Sequence, residues 1–95
     1  MALWSLFVEV GCTRYSTQVT ADDPKAAIRS FLASGGLKDT LKALAAEGWP
    51  RSFAMKDVFA FLPMDGLINM YLCQLGRKGK YVSVVLARTV SRQQA

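Results

Sequence analysis

Residues Leu3 to Val10 place Trp4, Leu6, Val8 and Val10 on one side and Leu3, Ser5, Phe7 and Glu9 on the other. That period of two predicts a β-strand with one face buried. Gly11, Cys12 and Thr13 turn the chain, and alternation resumes from Tyr15 to Ala21, with Tyr15, Thr17 and Val19 opposed by Ser16, Gln18 and Thr20. The two segments read as a β-hairpin. The pattern then changes period. Asp23 can accept hydrogen bonds from free helix amides and Pro24 has no amide to leave unpaired, so a helix is predicted to start there. Ala27, Ile28, Phe31 and Leu32 form its apolar face, and Gly35 and Gly36 end it.

A second short stripe, Leu37, Leu41 and Leu44 with Ala45, predicts another helix, closed by Gly48 ahead of Trp49 and Pro50. A strand is expected over Asp57 to Leu62, where the chain is aromatic and apolar. Pro63, Met64, Asp65 and Gly66 signal a turn. Leu67 to Leu75 and Tyr81 to Val90 then flank Gly76 to Gly79 as a long hairpin. The order ββααβββ predicts an α+β fold in two layers, a mainly antiparallel sheet of about five strands with two helices on one face. One domain over 1–90 is expected, followed by a disordered polar tail over 91–95.

The parity of the strands suggests which groups face the helices. Assigning Trp4, Leu6, Val8, Tyr15, Val19, Ile68, Met70, Leu72, Val82, Val84 and Leu86 to the helix side leaves Phe7, Asn69, Tyr71, Tyr81 and Ser83 on the open side, among Ser5, Ser16, Gln18 and Val85. A face that mixes aromatic and polar groups suits a protein interface, where tyrosine and phenylalanine are enriched. It also suits base stacking by a single-stranded nucleic acid.

Composition sharpens that choice. Among 95 residues, 52% are hydrophobic and 20% charged, an apolar excess that is easier to bury if a second copy or a partner covers part of the surface. A homo-oligomer is expected, with a dimer favoured. The net charge of +5 favours acidic partners, a nucleic acid, an anionic membrane surface or an acidic protein, and the one basic cluster, Arg77, Lys78 and Lys80, falls at a predicted hairpin tip that can contact phosphate. No apolar run approaches the roughly 18 residues of a membrane helix, because Glu9, Arg14 and Asp22 interrupt the most hydrophobic stretch. Leu3 to Val10 has no basic segment before it and reads as part of the fold rather than a signal peptide.

Candidate chemistry is sparse. The chain contains no histidine, which removes the commonest general base and the commonest metal ligand together. Asp22 and Asp23 fit a helix start better than an acid–base pair. Cys12 sits in a turn and Cys73 in a strand, without the spacing of a disulfide framework or a metal site, which suggests a reduced, cytoplasmic setting. Ser34 to Leu37 is a helix connector without the lysine of a phosphate-binding loop. The hairpin followed by Asp23, Pro24, Lys25, Ala26 and Ala27 resembles the hairpin-then-helix opening of HicB-type antitoxins; it shares no specific motif with them and implies no function. The expected function is a non-enzymatic interaction module without cofactor or metal, using the open sheet face or an exposed edge strand. The alternative is a nucleic-acid binder that uses the basic tip with Tyr71 and Tyr81.

Overall fold

A computed structural model describes residues 1–89. The antiparallel sheet contains β1 (Ala2–Val10), β2 (Thr13–Ala21), β3 (Val58–Pro63), β4 (Met70–Arg77) and β5 (Lys80–Thr89), in the spatial order β2-β1-β5-β4-β3. Two helices, α1 (Pro24–Ala33) and α2 (Lys38–Ala43), pack on one side of it. The α+β class and the element order match the sequence expectation. The expected tail over 91–95, and Val90 at the end of the last strand, lie outside the described residues.

Both strand pairs that meet at tight turns do so through two residues. Gly11, at φ 60°, is the first central residue of the β1–β2 turn, a position that only glycine adopts without strain. Lys78 and Gly79, at φ 54° and 75°, both take left-handed backbone between β4 and β5. That turn is shorter than the sequence suggests, and β4 therefore runs to Arg77.

Helix α1 begins where its cap demands. The Asp23 carboxylate accepts the Ala26 amide at 2.7 Å, and Pro24 occupies the first turn. Substitution of Asp23 by alanine is expected to cost about 1 kcal/mol, read as a fall of about 4–8 °C in Tm. A change below 1 °C would mean that the cap contributes nothing. At the other end the Gly36 amide donates to the Phe31 carbonyl at 3.1 Å, and the Tyr15 hydroxyl donates to the Gly36 carbonyl at 2.7 Å, tying the helix exit to β2. Burial pushes the Tyr15 pKa up, against a smaller lowering from Thr40. Helix α2 stops at Ala43, earlier than its leucine stripe suggests, and a 3-10 turn over Ala45–Glu47 carries the chain to Gly48.

The core lies between helices and sheet. Ala27, Ile28 and Phe31 of α1 and Leu41 of α2 cover Leu6, Val8 and Val10 of β1, Cys73 and Leu75 of β4, and Val82, Val84 and Leu86 of β5. Burial of each larger side chain contributes about 1.5–3 kcal/mol.

The register corrects the assignment of β4. Leu75 pairs with Val82 and Cys73 with Val84, and directly opposed residues share a face. Tyr71, Cys73 and Leu75 therefore look toward the helices, while Met70 and Leu72 belong to the open face. Ile68 and Asn69 precede the strand altogether. Ile68 is 88% exposed, and Asn69 takes left-handed backbone at φ 61°. Alternation carried back through this irregular turn put the whole segment out of phase.

Candidate functional site

The open face is organised in rungs that cross the strands. Phe7 opposes Val85, Val85 opposes Leu72, and Leu72 opposes Leu62, so four apolar side chains line up across β1, β5, β4 and β3. Phe7 is 50% exposed and Leu62 57% exposed, amounts that a core residue never shows. On one side of this stripe, Ser5 accepts a hydrogen bond from Gln18 Nε2 at 3.2 Å, and its hydroxyl meets that of Thr89 at 2.5 Å. On the other side lie Arg14, Glu9, Ser83 and Gln74, again opposed in register. A shallow groove of about 400 Å³ runs beside Phe7 between these groups and Val85.

A second apolar spot lies nearer the β4–β5 turn. Phe59 and Tyr81 meet edge to face, with ring centroids 5.8 Å apart, over Gly76. A Cβ at Gly76 would stand 3.0 Å from the Tyr81 ring and 3.1 Å from that of Phe59, so glycine makes room for both rings. The slip in register between Val58 and Ala60 is what brings Phe59 to this face.

Of the surface residues expected from sequence, Phe7, Tyr81 and Ser83 do share the open face. Tyr71 does not. Its ring lies on the helix side, with centroids 6.0 Å from both Trp4 and Phe61, and Asn69 sits in the turn before β4. Leu62, Leu72 and Phe59 were missed. The signal for Leu72 was present, because a buried Cys73 in phase with Tyr71 and Leu75 forces Leu72 outward.

The basic cluster is split from the aromatic surface. Arg77 opposes Lys80 in the same phase as Leu75 and Val82, on the helix side. There Arg77 Nη1 donates to the Ser52 carbonyl at 3.2 Å, and Lys80 Nζ stands 5.6 Å from the centre of the Trp49 ring. Lys78 projects from the turn, exposed. Lys38, Lys42 and Arg51 line a hollow of about 410 Å³ beside α2, also in the helix layer. By register the one cation among the described strand residues of the open face is Arg14, whose Nε lies 3.4 Å from Glu9 Oε2.

The two cysteines differ sharply. Cys12 is exposed in the β1–β2 turn, whereas Cys73 is buried and its thiol is pushed up to about 11 by burial. Since thiolate is the reactive form, a maleimide is expected to modify Cys12 in the native protein and Cys73 only after denaturant is added. Rapid native labelling of both would contradict the packing of β4 under the helices. Among the described residues no three of His, Cys, Asp and Glu come together in a way that could hold a metal ion, and no helix is long and apolar enough to cross a membrane.

The fold and surface together define a two-layer α+β domain with an antiparallel sheet whose second face no other described element covers. The chain matches no protein-family model, no curated protein and no solved structure.

Proposed function

We propose that the protein is a non-enzymatic interaction module that self-associates by stacking its open sheet face on that of a second copy. The observation that carries this reading is the rung Phe7, Val85, Leu72 and Leu62. A two-fold axis laid along the rung brings the stripe onto its own copy, with Arg14, Glu9, Ser83 and Gln74 beside it on one side and Gln18 and Ser5, continued by Ala87 and Met70, on the other. An apolar centre with a polar rim is the usual anatomy of a protein interface. Sheets stacked in this way pack about 10 Å apart, with strands inclined by about 30°.

The dimensions are adequate. Five strands about 4.8 Å apart and roughly nine residues long give a face of roughly 700 Å², near the ~800 Å² per partner of a stable interface. A nucleic acid is the poorer occupant. Bases stacked on Tyr81 and Phe59 would need cations nearby for their phosphates, and Arg77 and Lys80 point to the opposite layer.

The test is Phe7→Lys. Light scattering is expected to give a mass of more than one chain for the native protein and a lower mass for the variant, with unchanged circular dichroism. Equal masses for the two proteins would remove the reading.

A further inference from the structure

The two edges of the sheet are built differently. β3 is six residues long, ends in Pro63 and slips register between Val58 and Ala60, three features that blunt an edge against pairing. β2 has none of these. Its nine residues, Thr13–Ala21, hold an unbroken register with β1 and contain no proline, no lysine and no bulge. Among the described residues, no hydrogen bond from outside the sheet reaches the outer backbone of β2.

Register also says which backbone groups are free. A two-residue hairpin turn closes on a hydrogen-bonded pair, here Val10 and Thr13, and the ladder alternates from there. The amides and carbonyls of Arg14, Ser16, Gln18 and Thr20 therefore point away from β1.

We propose that β2 pairs antiparallel with β2 of a second copy, about a two-fold axis through Thr17, making one continuous sheet of two chains. Thr17 is the midpoint of the strand, so this register uses its whole length. It sets Ser16 against Gln18 of the partner subunit and Arg14 against Thr20 of the partner subunit, and both are hydrogen-bonded pairs. On the helix side Tyr15 meets the partner's Val19, two side chains that are only half-buried in one chain. The only charge in the strand, Arg14, meets no like charge. A register moved by one residue would turn the half-buried side of one strand onto the polar side of the other.

This contact builds on the face-to-face reading. A pair of strands alone buries much less than the ~1,200–2,000 Å² of a stable interface, so edge pairing links face-stacked pairs; the Phe7 rung meets β2 at Ser16 and the edge axis passes through Thr17, within one residue of the crossing that closes the assembly at four chains. Ser16→Pro separates the two contacts. It removes an outward amide and no ladder bond to β1, and proline is tolerated on an edge strand with that orientation.

The native chain is expected to have the mass of four chains by light scattering, and folded Ser16→Pro that of two. In the native protein, hydrogen exchange at Ser16 and Gln18 slows as concentration rises. If folded Ser16→Pro keeps the native mass, or if Ser16→Pro fails to fold and exchange at those two amides does not change with concentration, edge pairing is overturned; the face contact is judged separately by Phe7→Lys. If Ser16→Pro is monomeric while Phe7→Lys still forms pairs, the edge pairing holds and the face contact falls. A native protein that is a single chain at every concentration overturns both.

Discussion

Phe31→Ala lowers the unfolding free energy by about 3–5 kcal/mol, the range for removing a fully buried aromatic ring. Phe31 is 1% exposed and belongs to the cluster that joins α1 to the sheet. Its ring also lies against Gly36, where a Cβ would run into the ring edge and come within 2.9 Å of the Phe31 carbonyl oxygen. The chain leaving α1 can therefore pass only as glycine, and it is held there by the Tyr15 hydroxyl. A domain of this kind has about 5–15 kcal/mol in all, so the loss is a large fraction of the total. Urea unfolding reads it as a lower midpoint with an unchanged slope. A loss under about 1 kcal/mol would mean that the ring is not part of the core.

Leu72→Lys separates two accounts of β4. With Leu72 turned toward the helices, a lysine there would bury an unpaired charge and unfold the protein. With Leu72 in the middle of the open stripe, as the pairing to Val85 and Leu62 requires, the single chain stays folded and the charge falls at the centre of the proposed interface. Association then weakens by at least about 30-fold, the roughly 2 kcal/mol of a central contact residue. Ile68→Lys is the control. Ile68 lies in the turn outside the stripe and is 88% exposed, so its substitution leaves both fold and mass unchanged. Sedimentation velocity and circular dichroism on the two variants distinguish the accounts, and an unfolded Leu72→Lys would return Leu72 to the core.

Much of this architecture is written in local chemistry. Asp23-Pro24 marks a helix start, Gly11 a tight turn, and the alternation of Trp4, Leu6, Val8 and Val10 a half-buried strand, each because few other conformations suit those residues. β4 was less legible. Its phase is set by hydrogen bonding to β5 through a two-residue turn, and the strand-like run from Leu67 conceals the left-handed Asn69 that resets it. The same limit applied to the candidate surface. Phe7, Tyr81 and Ser83 followed from parity within well-defined strands, whereas the alignment of Phe7 with Leu62 depends on strand order, which no local pattern encodes. Arg77, Lys78 and Lys80 form a basic cluster along the chain. Its separation from the aromatic face follows from the pairing of Arg77 with Lys80 in phase with the core.

Self-association through the open face is tested most directly by sedimentation equilibrium of the native chain over a wide range of concentration. Stacking through the stripe gives a mass of more than one chain that falls toward a single chain on dilution. A single chain at concentrations approaching millimolar would contradict it.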